Sequence, residues 1–427
     1  MDGLRRLDAQ GIAEWLIQAL ARYSGQPVQY LVPVGHGAGA AVVRDDALAF
    51  APLDYEQELP EDVASAYLRD RDPFRLTGSP ALPSGLNLGA QLALLQTFSP
   101  GVFQSGTLVP WAQYWAWFLS GTTVTEVTSL GCHTDLWSPR LGTYSPLAER
   151  RGWAAAFAPL TRAGAAVGRL RPELVAATGL PATAQVLAGL HDSNAALLAA
   201  RGFGEIALKE ATVLSTGTWF IGMRLPDEVV FQSSLPEGRD CLVNVDAYGR
   251  AVPSARFMGG REIESIIGID TRRVDIKPDQ PRLLAEVPGL LASGAMLLPT
   301  LAPGNGPFPE CKGGWVREPE DWYARRAAAC LYAALVADAS LDLIGSKERL
   351  LIEGRFAEAQ VFVRALASLR PDTQVYTANA HNDVSFGALR LIDPTLSPQG
   401  SLVPVEPLDW NLASYRSAWH AEREVAA

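Results

Sequence analysis

The chain has 427 residues, 48% hydrophobic and 19% charged, and its 36 Lys and Arg against 46 Asp and Glu leave a net charge of −10. Such a composition describes an ordered globular protein long enough for about two to three domains, and it excludes a disordered chain. An acidic chain without a Lys/Arg cluster points away from nucleic acid or an anionic membrane as the main partner, and no run is apolar enough to span a bilayer. The first residues, MDGLRRLDAQGIAEWL, lack the apolar core of a signal peptide. Cys132, Cys241, Cys311 and Cys330 lie far apart without CxxC spacing, which predicts reduced thiols and a cytoplasmic location; the five histidines show no metal-ligand pattern.

Taken in chain order, Ile12, Trp15, Leu16 and Leu20 recur at helical spacing, so residues 12–23 read as an amphipathic helix. VQYLVPVGHG then reads as a strand entering a glycine-rich turn. LNLGAQLALLQTF and WAQYWAWFLSG read as helices, the second closed by Gly121, with Trp115 and Trp117 read as core packing before sugar stacking. From about Thr183 strand and turn signals dominate: VLAGLHD, then KEATVLSTGTWFIGMRL, then the Gly/Pro loop PTLAPGNGPFPECKGGW. A long helix, WYARRAAACLYAALVADASLDLIG, follows, and the strand RLLIEGR, the helix AEAQVFVRALASL, the strand TQVYTA and the helix SFGALRLI complete the alternation. Strands and helices alternate in both halves, which predicts two α/β domains, residues 1–184 and 185–427, joined near the GLPATAQ turn at 179–185.

Two segments carry chemistry. In LAGLHDSNAALLAA an apolar run meets an alanine-rich one at His191–Asp192. Read locally, Asp192 or Ser193 is the N-cap of a helix over 195–200, taking up N–H groups left unpaired at its start. A carboxylate just after a domain joint, where ligand clefts form, is equally a candidate catalytic group. About 24 residues on, ATVLSTGTWFIG reads as two strands around a Thr-Gly-Thr turn. Gly217 fits a tight hairpin there; it also lets backbone N–H groups approach a phosphate, with Thr216 and Thr218 as hydroxyl donors.

Together these segments resemble the FGGY family of carbohydrate kinases, from about residue 28 to residue 395. GLHDSNAA resembles the family's Gly-x-x-Asp-x-x-Ala segment, STGTW its second phosphate loop, LIEGRFAEAQVFVRALASL its adenosine segment and VSFGALRL the helix after it. On the sugar side, VGHGAGAAVV is similar to its Gly-Gln-x-x-Gly turn, and LNLGAQLALLQ, WAQYWAWFLSG and TEVTSLGCHTDLW to the region flanking the sugar. The resemblance implies two ribonuclease H-like domains of the actin/hexokinase-type ATPase fold with an interdomain cleft, an N-terminal sugar-binding domain and a C-terminal nucleotide-binding one. The branch it most resembles lies near the fuculose and rhamnulose kinases. It implies ATP and Mg²⁺, with a primary hydroxyl of a 6-deoxyketohexose or pentulose as acceptor. Asp192 is then the general base, and His36, Asp54, Glu56 and His191 are the sugar contacts. Thr216, Gly217 and Thr218 hold phosphate, Gly260, Pro303, Gly304 and Gly354 border the nucleotide, and Lys209 and Arg261 are candidate local cations, with surface solvation as the competing reading. A homodimer is a candidate assembly.

Two departures stand out. The family's opening hairpin, whose Asp-x-Gly turn grips the β- and γ-phosphates, has no counterpart; the sequence begins at the following helix, roughly 25–35 residues short by usual strand lengths. A misplaced start, a truncated gene or a catalytically degenerate sugar-binding or regulatory protein would each account for that. The second departure is Glu353-Gly354-Arg355, where the family often has three glycines beside the adenine.

Overall fold

In the computed structural model, residues 3–104, 106–207, 209–227, 235–271, 273, 275–380 and 382–426 are described. The chain divides into two compact units, one of residues 1–202, 243–251 and 382–397, the other of 203–242, 252–381 and 398–427. The sequence drew the boundary at 184/185; here residues 185–202 pack with the first unit. Strand pairing explains this: Gln185–Leu187 lies between Tyr30–Leu31, to which it is parallel, and Ala166–Arg169, to which it is antiparallel. Leu190–His191 likewise pairs in parallel with Val34–Gly35.

The helix read from 12 begins earlier, at Ala9, because Asp8 caps it through the Gly11 N–H. The apolar helices Leu88–Phe98 and Trp111–Ser120 are buried along most of their length, and the second ends on Gly121 in the left-handed region, as its sequence predicts. Trp115 and Trp117 are core residues; the Trp117 indole N–H donates to Asp46 (3.1 Å).

The second unit is built on a seven-stranded sheet. Ala211–Thr216 and Phe220–Leu225 form a hairpin, and Phe220–Leu225 is antiparallel to Ala251–Phe257. Arg349–Gly354 joins the other side of Ala211–Thr216 in parallel, and Gln374–Ala378 extends the parallel set. An antiparallel meander continued by parallel strands is the ribonuclease H-like order expected. The helix Trp322–Leu343 is alanine-rich and almost entirely buried, so the helices Gln280–Ser293 and Gln360–Leu369 pack closely against it. Among the described residues no helix is long and apolar enough to cross a membrane.

One close crossing in the first unit bears on function. Helix Asp192–Ala200 packs on Val384–Ile392, and the Ala195 carbonyl oxygen occupies the space where a side chain at position 387 would begin. Only glycine fits. Gly387→Leu forces the helices apart and is expected to lower the unfolding free energy by about 3 kcal/mol, read as a lower urea midpoint at unchanged slope.

Candidate active site

In the first unit, the turn after Val34–Gly35 runs beneath the end of Leu190–His191. His191 caps helix Asp192–Ala200: its Nδ1 accepts the Ser193 N–H (3.2 Å). An Nδ1 that accepts leaves the ring proton on Nε2. Burial pushes His191 below the usual histidine range, Asp192 pulls it back up and His36 adds to the lowering, so the ring is neutral near pH 7. Its Nε2 sits over Gly37: a Cβ there would lie 2.6 Å from Nε2 and 2.8 Å from the Cys132 sulfur. Burial drives the Cys132 thiol up to about 12, with the Asp192 charge adding to it, so this sulfur is a protonated, inert wall.

Asp192 is the first residue of the helix. Its Oδ1 lies 2.6 Å from the Ser193 N–H and accepts the Ser193 hydroxyl at 3.3 Å, while Oδ2 has no protein hydrogen bond among the described residues. The side chain is 45% exposed, against 10% for that of His191. The imidazole and Oδ1 share the Ser193 N–H, and the carboxylate, with Oδ2 uncommitted, is left half open.

His36 stands at the edge of this pocket, its ring 5.7 Å from Tyr55 edge-on and 6.3 Å from Trp111. Tyr55 brings Asp54 and Glu56 to the same wall, but both carboxylates turn to Arg5 Nη2, at 3.0 and 3.1 Å. Gln91 secures the glycine turn by donating to the carbonyls of Ala38 and Gly85. Neither Trp111 nor Gln91 was singled out from the sequence, since each reads as one more interior position of a helix.

The second unit holds the other half of the expected constellation. At the end of Ala211–Thr216 the alternation of the strand turns Thr216 inward: its hydroxyl donates to the Glu353 carbonyl (2.5 Å) and accepts the Phe356 N–H (3.1 Å). The expectation that Thr216 offers a hydroxyl to phosphate is therefore corrected. The side chains that open outward are Ser215 and Thr218. The Gly217 N–H is used by the Trp219 carbonyl (3.0 Å), and nothing lies within 3.5 Å of where a Gly217 Cβ would stand.

Gly260, at the start of helix Gly259–Ile267, abuts the Gly217 carbonyl, and Gly354, at φ +87°, abuts the Thr216 carbonyl; a Cβ at either position would collide. Gly354 thus serves the strand–strand approach. Arg355 is held aside by Glu264 (3.1 Å) and Thr271 (2.8 Å), which answers how this segment accommodates a long side chain. Burial raises the Glu353 carboxyl to about 7. Pro303 and Gly304 lie on a loop pinned by Glu262, which accepts from Thr300 Oγ1, Leu301 N and Ala302 N at 3.0–3.1 Å and from the Tyr332 hydroxyl at 3.1 Å. Asp240 holds the same loop through the Gly306 N–H (2.8 Å). The Arg261 side chain is exposed, and the backbone N–H of Arg261 donates to the Thr218 carbonyl (3.4 Å). Lys209 is also exposed but precedes the other end of Ala211–Thr216, roughly 20 Å of strand away from the turn. That separation removes it as a phosphate cation.

Residues 208–399 match the family model for the FGGY carbohydrate kinase C-terminal domain. A carbohydrate kinase from Novosphingobium aromaticivorans is 67% identical with a TM-score of 0.96, the match covering 99% of this chain and 92% of that one. The chain belongs to the FGGY carbohydrate kinases. Two remote structures share the fold: a Plasmodium falciparum glycerol kinase with ADP (10% identity, TM-score 0.79, 99% and 90% covered) and a xylulose kinase from Rhodospirillum rubrum (16%, 0.73, 93% and 84%). The architecture of this FGGY kinase is accordingly the two-domain actin/hexokinase type. Among curated proteins none matches the chain.

In this FGGY kinase the 300–302 part of the loop is held by the buried Glu262 carboxylate, and Asp240 holds its far end at Gly306. Glu262→Ala takes this acceptor from the N–H groups of Leu301 and Ala302 and from the Tyr332 hydroxyl, while the Thr300 hydroxyl keeps the Ala302 carbonyl (3.4 Å), and is expected to cost about 3 kcal/mol of stability. The same variant should be cleaved faster within 300–306 under limited proteolysis, while equal midpoints and equal cleavage would show that Glu262 does not hold the loop.

Proposed function

We propose that this FGGY kinase transfers the γ-phosphoryl group of ATP to a primary hydroxyl of a small ketose, a 6-deoxyketohexose or a pentulose, with Asp192 as general base. The observation that carries the reading is the half-open Asp192 carboxylate beside a neutral, fixed imidazole. Phosphoryl transfer asks the protein mainly for positioning, charge stabilisation and a group that takes the hydroxyl proton. Asp192 Oδ2 accepts that proton as the sugar oxygen bonds to phosphorus and the bond to ADP breaks.

His191 Nε2–H and the His36 ring supply polar contacts to the sugar, and Tyr55 and Trp111 supply the apolar wall near His36. Asp54 and Glu56, tied to Arg5, accept outlying sugar hydroxyls. On the nucleotide side the open face of Gly217 fits a phosphate, because a Cβ is absent where the group would approach and Ser215 and Thr218 flank it. Arg261 adds a nearby positive charge, and Pro303, Gly304, Gly260 and Gly354 shape the border. Mg²⁺, a hard cation that prefers oxygen ligands, would arrive on the phosphates of ATP. When bound it screens the charge of the transferring group.

ADP release measured against a panel of ketoses tests this directly. Asp192→Asn should lower kcat about 10²- to 10⁴-fold while sugar binding, followed by calorimetry, stays within a few-fold. Undiminished turnover in that variant would remove Asp192 from the base role, and turnover confined to aldoses or polyols would remove the ketose assignment.

A further inference from the structure

Glu126 is the last residue of strand Thr125–Glu126, fully buried, and it caps the short helix Val127–Leu130. Its Oε2 accepts both the N–H of Thr128 (2.9 Å) and the Thr128 hydroxyl (2.5 Å). The same hydroxyl oxygen accepts the backbone N–H of His191 at 2.9 Å. A hydroxyl has one proton, so giving it to the carboxylate fixes its lone pairs toward His191. A separation of 2.5 Å is that of a charge-assisted O–H···O⁻ bond. Glu126 Oε1, also buried, has no hydrogen-bond partner among the described residues. A packing residue would not need a carboxylate here, since an apolar side chain avoids the cost of burying one.

We infer that Glu126 is a positioning residue for phosphoryl transfer: through the Thr128 hydroxyl it fixes the backbone of His191, and thereby the imidazole cap and the Asp192 carboxylate that follows it. This rests on Asp192 acting as the base. The neighbouring titratable groups are the Cys132 thiol and, beyond it, Asp192, then His191 at the end of the chain of bonds and Tyr144 near Thr125. The strands Leu160–Thr161 and Thr107–Pro110 bring none.

Burial raises the Glu126 carboxyl from 4.5 to about 7, opposed by the Thr128 hydroxyl and the backbone N–H groups of 127–129. Two consequences follow, with opposite signs. The folded state binds this proton more tightly than the unfolded one, so wild type loses stability relative to Glu126→Gln as pH rises from 4.5 through about 7. The ionised form makes the stronger bond to Thr128, so kcat rises as pH passes through about 7, where the folded protein loses this proton.

The experiment compares wild type, Glu126→Gln, Thr128→Val and Thr128→Ser in turnover from pH 5.5 to 9, with amide exchange at 190–193 followed by mass spectrometry. Glu126→Gln and Thr128→Val should lose about 10- to 100-fold in kcat at pH 8, the scale of a small misplacement of a reacting group, with sugar KM changed less than about threefold. The limb near pH 7 should vanish in Glu126→Gln, and Thr128→Ser, which restores the hydroxyl, should recover most of the loss. Exchange at His191 should quicken at least tenfold in Thr128→Val. An unchanged limb in Glu126→Gln, or wild-type kcat in Thr128→Val, overturns the inference. If Glu126→Gln does not fold, the Ser/Val pair at 128 decides. If wild type turns over no ketose, the substrate reading fails, while exchange at His191 still tests the link: faster in Thr128→Val upholds it, equal rates reject it.

Discussion

The N–H of Ser193 is shared between the His191 ring and Oδ1 of Asp192, and the proposed sugar site depends on that division. A helix start must find acceptors for its first N–H groups, and an aspartate at such a joint is ordinarily the one that supplies them. Had Asp192 been the sole cap, both its position and its basicity would have been given to the helix. With a buried, neutral imidazole as the capping group, the carboxylate keeps one oxygen uncommitted, and the imidazole keeps its Nε2–H pointed over Gly37. The two adjacent residues share the cap, and only Asp192 keeps an oxygen open to the pocket.

The arrangement tolerates little. Three surfaces meet around His191: the glycine turn at 37 from one strand, Cys132 from the loop after a short helix, and Thr128 on its backbone. Helix Asp192–Ala200 is in turn located by its contact with Val384–Ile392, where no side chain fits at 387. Protein interiors are close-packed, so a displacement at any of these contacts moves the carboxylate rather than being absorbed. The second unit uses the same means: Gly260 and Gly354 allow backbone to approach the carbonyls of 217 and 216, and Glu262 and Asp240 hold the two ends of the 300–306 loop.

Much of this was legible in the sequence because it rests on local pattern. The long helix Trp322–Leu343, the hairpin around Gly217 and the alternation of strands and helices after it follow from periodicity and turn chemistry. Asp192 stood out because a charge interrupts two apolar runs. Residues whose meaning comes from a distant partner were not legible. Thr216 reads as a phosphate ligand until the parallel strand 349–354 claims its hydroxyl. Glu262 carries no signal in its own segment: three of its donors come from the loop 38–40 residues further on and the fourth, the Tyr332 hydroxyl, from the helix Trp322–Leu343. The domain boundary was drawn too early for the same reason: the GLPATAQ turn is a local break, whereas Gln185–Leu187 is placed by its pairing with residues 30–31 and 166–169.

Two of the carboxyls that burial raises, Glu126 and Glu353, make an instructive pair. Glu126 and Glu353 are both driven up to about 7 by desolvation, yet only Glu126 is answered by a set of donors. A buried acid with donors on one oxygen and none on the other is held between states: its donors favour the anion, its surroundings the neutral acid. Asp192, by contrast, is half exposed, with one oxygen open. A carboxylate meant to take a proton from a sugar hydroxyl is better kept at the solvent side of its pocket, while one meant to orient a neighbour can be buried. The depth at which each acid sits therefore separates the proposed base, Asp192, from Glu126, the residue proposed to position it.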